Sequence, residues 1–143
     1  MATFVGTIQN GQPLLKAVAT ILPNDQQAKS GGFVALIDTG SQGTLVSPEV
    51  VTKLNPIPIG ISGFTVANGQ SVDANKYRIG IAIPIERITQ SSNIINRDIV
   101  ISGLNLDVLE LPYRPPNYDI LLGMDFLQGF HITLFGNQFI LSN

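Results

Sequence analysis

The chemically suggestive residues lie in "FVALIDTGSQGTLVS", residues 33 to 47. An apolar run, Phe33 to Ile37, delivers Asp38 directly into Thr39, Gly40 and Ser41. A carboxylate at the end of a hydrophobic strand is expensive unless it is hydrogen-bonded or has a task. Two readings follow from this stretch alone. Asp38 can fold its side chain onto its own loop as a turn former. It can also serve as a general acid or base, the work that carboxylates perform in hydrolysis.

The rest of the chain removes the competing chemistries. There is no cysteine, which excludes disulfides, thiolate metal sites and a cysteine nucleophile. A single histidine, His131, excludes a multi-histidine metal site within one chain. It stands where a core strand begins, and reads as a partly buried or edge histidine rather than the base of a serine triad. The glycines of "GISGFTVANG" lack the Lys-Ser/Thr pair and the strand-to-helix setting of a phosphate loop. No metal or organic cofactor is implied. The eight basic residues are scattered and the formal net charge is -2, which argues against a nucleic-acid surface and against a basic membrane-binding patch.

The elements that must position Asp38 read as strands. Hydrophobic residues make up 44% and charged residues 13% of the 143, a globular balance that suits a single domain over residues 1–143. Ile, Val, Thr and Phe recur in short runs broken by Gly, Pro and Asn, the pattern of an all-β chain. "TFVGTI" and "PLLKAVATIL" flank "QNGQ", whose Asn10-Gly11 pair is a strong hairpin signal. "LPNDQQAKSGG" reads as a polar surface loop, and "GGFVALI" as a strand covered on both faces. "SPEVVTKL" predicts a short helix with Ser47 at the N-cap, Pro48 at the first helical position and Glu49 in the first turn.

Further along, "GFTV-ANGQ-SVDA" predicts a second hairpin with Asn68-Gly69 at its tip. "YRIGIAIPIERI" alternates as a half-buried strand should, and "DIVISGLNLDVLEL" adds strand material. "PYRPPNY" is a proline-stiffened loop. In "DILLGMDFLQGF", Ile120 to Leu122 form a buried strand and Gly123 a tight turn. Asp125 with Gln128 resembles a capping box opening a brief helix. "HITLF-GN-QFILS" closes the chain as a strand pair. No window holds the roughly eighteen unbroken apolar residues of a membrane span. The start "MATFVGTIQNGQ" lacks the basic and apolar segments of a signal peptide, so the expected location is cytoplasmic.

"ALIDTGS" followed by "DILLGMDFL", with a glycine-tipped hairpin between, resembles the retropepsin-like aspartic proteases. Each motif alone is short; the ordered pair is more specific, and the resemblance spans roughly residues 3 to 140. It implies a closed all-β barrel with a flap hairpin and one or two short helices. It matches Asp38 to the catalytic aspartate, with Thr39 and Gly40 completing the signature. Leu122 and Gly123, after Ile120 and Leu121, match the element that packs beside the active-site loop. Val66, Ala67, Asn68, Gly69 and Gln70 take the place of the substrate-binding flap.

Peptide hydrolysis by aspartates needs two carboxylates a few ångströms apart sharing one proton. Like charges that close cannot both ionise, and their apparent pKa values split by on the order of three units. The chain holds one Asp-Thr-Gly. The partner carboxylate is then Asp38 of a second subunit across a two-fold axis, and a homodimer is expected. By the same resemblance Thr39 bonds the opposing loop and Gly40 lets the backbone approach substrate. Ser41 can donate to the ionised carboxylate, the form seen in pepsin-like enzymes. The implied activity is an aspartic endopeptidase acting on extended peptides. The competing reading is a dimeric peptide-binding module without catalysis.

The remaining polar and aromatic residues receive plainer readings. Asp125 is expected to cap a helix; Asp98, Asp107 and Asp119 are expected to be solvated or turn-forming. Phe64, Tyr113, Tyr118 and Phe126 read as core or loop packing, with Tyr113 and Tyr118 available to line subsites. The "PNDQQAKSGG" and "YRPPNY" segments are longer than the compact viral pattern needs.

Overall fold

The computed structural model describes residues 2–21, 29–65 and 68–143. The strands are β1 (Ala2–Gln9), β2 (Gln12–Ile21), β3 (Lys29–Ile37), β4 (Leu45–Val46), β5 (Gly60–Thr65), β6 (Ser71–Ser91), β7 (Ile94–Glu110), β8 (Ile120–Leu122), β9 (His131–Phe135) and β10 (Gln138–Ser142). Two short helices, α1 (Pro48–Leu54) and α2 (Met124–Leu127), interrupt them. All-β character follows from period-two alternation, which buries one face of a strand and wets the other. In β6, Tyr77, Ile79, Ile81, Ile83 and Ile85 are buried while the residues between them are partly or fully exposed.

The strands form a ten-stranded sheet in the order β5-β6-β7-β4-β8-β3-β2-β1-β10-β9. β6 also pairs with β2, Val18 facing Ala82, and with β1, Ala2 facing Arg87. The pairing circuit therefore returns to β6 and wraps the sheet round one hydrophobic interior. Phe126 from α2, Leu54 from α1 and Phe139 and Leu141 from β10 fill that interior with the isoleucines of β6.

The Asn10-Gly11 hairpin forms as the dipeptide predicts, with φ of 51° and 75°. Both residues are left-handed, the geometry whose twist matches antiparallel strands. α1 begins at Pro48 and ends at Leu54, with Asn55 closing it in the left-handed region. The hairpin expected around Asn68-Gly69 forms between β5 and β6, Thr65 facing Ser71.

Several expectations are corrected. The loop read over "LPNDQQAKSGG" is too long, because Lys29 to Gly32 belong to β3 and pair with β2; residues 22–28 lie outside the described residues. The strands read at "YRIGIAIPIERI" and "DIVISGLNLDVLEL" are one long hairpin, paired from Lys76–Leu109 out to Ser91–Ile94. Polar "TQSSN" offers no alternation, yet Thr89, Gln90 and Ser91 still pair across the ribbon, and Ser92 and Asn93 form its turn. Ser47 makes no side-chain cap bond, and the residue capping α2 is Gly123 rather than Asp125. Asp98 and Asp107 are exposed as expected, beside Arg87 and Arg78.

Phe139 is fully buried and its ring meets Phe4 at a centroid distance of 5.8 Å. Phe139→Ala should cost about 3–5 kcal/mol through lost burial and the cavity left behind. Urea denaturation checks this: the midpoint falls while the slope is unchanged.

Candidate active site

Residues 38–44 connect β3 to β4, and β8 lies between those two strands. β8 runs parallel to β3, with Leu36 facing Leu121, and antiparallel to β4, with Leu45 facing Leu121. The 38–44 loop must therefore arch over the end of β8. Backbone bonds stitch it down along the arch. The Asp38 N–H donates to the Leu122 carbonyl (3.0 Å), and the N–H groups of Met124 and Asp125 donate to the carbonyls of Ser41 (2.8 Å) and Gln42 (3.1 Å). Where the arch passes Gly123 there is no room for a side chain. A Cβ on Gly123 would fall 2.5 Å from the Gly43 carbonyl carbon and closer still to its oxygen.

Asp38 leaves β3 partly exposed at the start of this arch. Its Oδ1 accepts the Gly40 N–H at 2.9 Å, and its carbonyl accepts the Ser41 N–H at 3.2 Å. Glycine suits position 40, because a Cβ there would stand 3.2 Å from the same carboxylate oxygen. Among the described residues Oδ2 has no hydrogen-bond partner. Thr39 is exposed. The Ser41 hydroxyl does not bond Asp38; it donates to the Gly43 carbonyl at 2.7 Å and braces the arch from within.

Leu122 and Gly123 meet the Asp38 loop directly. Asn68, Gly69 and Gln70 do not; their side-chain bonds are internal to the hairpin tip, with the Gln70 N–H donating to Asn68 Oδ1 at 3.0 Å. Val66 and Ala67 lie outside the described residues. Leading into β5, Ile57 (81% exposed), Ile59 and Ile61 (72%) recur at every second position, an open apolar stripe beside that hairpin.

Three features of the neighbourhood differ from or add to the sequence reading. Asp119 is not solvated: its side chain is 13% exposed, takes the Ser47 hydroxyl at 2.7 Å and meets Arg114 Nε at 3.0 Å. The Asp119 hydrogen bond and then its charge hold the Arg114 guanidinium above its ordinary pKa. This clamp ties the "PYRPPNY" loop to the start of α1. Tyr118 follows in the same loop; burial, then Tyr113, then the Asp38 charge push its phenol up. Tyr118 thus feels Asp38. Thr44 and Asp125 form the third feature. The Thr44 N–H and hydroxyl donate to the Asp125 carboxylate at 3.1 and 2.6 Å. Only a three-dimensional arrangement could reveal bonds between segments so far apart in the chain.

No family model matches the chain, and no curated protein does. Among solved structures, it is similar to a retropepsin-like aspartic protease from Rickettsia conorii. The TM-score is 0.59 at 16% identity, over 97% of this chain and 89% of that one. The fold is retropepsin-like. In this retropepsin-like fold, then, Asp38 stands on an arch backed by β8. Among the described residues no helix is long and apolar enough to cross a membrane.

Gly123→Ala should destabilise the protein by roughly 1–3 kcal/mol, because the clash is with rigid backbone and not with a flexible side-chain end. A fall of that size in the free energy of urea unfolding is the expected result.

Proposed function

We propose that this chain is one half of an aspartic endopeptidase, with Asp38 as its catalytic carboxylate. The observation that carries the reading is a partly exposed aspartate leaving the half-buried strand β3 of a retropepsin-like fold, on a loop stitched to β8. Residues 1–143 act as one domain, with the wrapped sheet as a closed barrel. Two copies bring their Asp38 side chains together across a two-fold axis. One carboxylate, ionised, activates a water; the other, protonated, polarises the scissile carbonyl. The two apparent pKa values belong to the pair rather than to either copy.

The neighbouring residues take supporting parts. Thr39, exposed in the single protomer, is available to bond the opposing loop. Gly40, Ser41, Leu122 and Gly123 hold the arch. The β5–β6 hairpin, with Asn68 to Gln70 at its tip, serves as a flap that closes over an extended peptide and shields it from water. Substrates are peptide or protein segments with apolar residues beside the cleaved bond, in keeping with the open isoleucine stripe of residues 57, 59 and 61. No metal or organic cofactor takes part.

The purified chain should cleave denatured casein somewhere between pH 3 and 7, and Asp38→Asn should lower the rate roughly 10²- to 10⁴-fold. Equal cleavage by both proteins removes the peptidase reading. Binding of casein without cleavage by either favours a dimeric peptide-binding module. Assembly makes a separate prediction. Specific activity should fall on dilution below the dimer constant measured by sedimentation, and a specific activity that holds there contradicts a shared site.

A further inference from the structure

The bonds between Thr44 and Asp125 exceed what a four-residue helix such as α2 needs. Asp125 Oδ2 accepts the Thr44 N–H at 3.1 Å; Oδ1 accepts the Thr44 hydroxyl at 2.6 Å and the Phe126 N–H at 2.9 Å. Thr44 is 1% exposed, so these groups have little recourse to solvent. Its hydroxyl has one hydrogen, which goes to Asp125, and its oxygen accepts the Gly123 N–H at 3.2 Å. The direction of donation is therefore set along the chain Gly123, Thr44, Asp125.

That direction selects a carboxylate. A carboxylate only accepts, whereas an amide of the same shape carries two donors. Placed one way, an asparagine Nδ2 would face the Thr44 N–H. Placed the other way, it would face the Phe126 N–H and the Thr44 hydroxyl. Either orientation sets donor against donor at a part-buried contact with the buried Thr44, a costly case for a polar group.

We propose that Asp125 is a positioning residue: it anchors the far end of the 38–44 arch to α2 and thereby fixes where Asp38 points. The near end is tied at Asp38 by the Leu122 carbonyl, and the middle by the Ser41 and Gln42 carbonyls. Thr44 is the tether at which side chains, not backbone alone, hold the loop. The effect on rate rests on the peptidase reading of Asp38; the effect on the loop does not.

The test uses the full chain with Asp125→Asn, Thr44→Val and Thr44→Ser, beside Ile83→Val as a core control far along β6. Amide hydrogen exchange across residues 38–45, corrected for each variant's global stability, is the first readout. Asp125→Asn and Thr44→Val should speed exchange there about tenfold or more relative to the control, and Thr44→Ser should restore it. The second readout is casein cleavage. For the same two variants kcat should fall roughly 10- to 100-fold with KM little changed, since a misplaced catalytic group loses rate on that scale. Exchange at 38–45 no faster than in the control overturns the proposal, as does an active wild type matched in kcat by Asp125→Asn. An inactive wild type defeats the peptidase reading alone, and exchange still decides the anchor. Should Asp125→Asn fail to fold, Thr44→Val against Thr44→Ser poses the same question.

Discussion

β3 and β4 are joined by the arch of residues 38–44, yet β8 lies between them and must be crossed. Close packing leaves that crossing no slack, because the backbone of Gly43 lies where a side chain on residue 123 would stand. Everything around Asp38 answers to this constraint. The arch gives its carbonyls to N–H groups of residues 124 and 125, and the Leu122 carbonyl takes the Asp38 N–H. These groups would otherwise be left unpaired beside a buried strand, and pairing them makes the loop an extension of the sheet. A carboxylate carried on such a loop has a defined place even though it is partly exposed.

A second set of polar contacts holds the walls of the same region. Asp119 gives its backbone N–H to Val34 of β3 and its carbonyl to Ser47 before α1, and its side chain takes Ser47 and Arg114. One residue thereby joins β3, α1 and the proline-rich loop. Its carboxylate is largely withdrawn from water and is stabilised by a charge-assisted bond to the guanidinium, the stronger kind of hydrogen bond. Tyr118 is held in that loop within the field of Asp38. The loop is irregular but anchored at both sides, through Asp119 to β3 and to the start of α1.

The long β6–β7 hairpin provides the frame on which these pieces sit. Its middle is buried by the alternating isoleucines of β6, its near end continues into the β5–β6 hairpin, and its far end runs past the last partner on β1 at Arg87. Beyond that point the ribbon is two-stranded, and Ile88, Ile94 and Ile95 are exposed. The β5–β6 hairpin and the core thus share one continuous strand, so the apolar burial of residues 77–85 also fixes the base from which that hairpin projects.

Much of this was legible in the residues. Asn10-Gly11, the apolar run into Asp38, Pro48 and Glu49 opening α1, and Ile120 to Leu122 before Gly123 are local signals, each set by dihedral preference or by burial of a nearest-neighbour face. The sequence by itself determined that strands dominate, where hairpins turn, and that Asp38 stands at a strand exit. It also shows a single Asp-Thr-Gly, so any site built from two such motifs must draw on two chains. The tertiary structure decided what the other carboxylates do. Asp125 resembled a helix cap and became the acceptor for Thr44; Asp119 resembled a turn residue and became a buried clamp; the Ser41 hydroxyl turned to Gly43. The two carboxylate outcomes depend on which segments meet across 81 and 72 residues. A hydrogen bond needs a partner at about 3 Å with the right polarity, and no local pattern in the chain specifies that meeting.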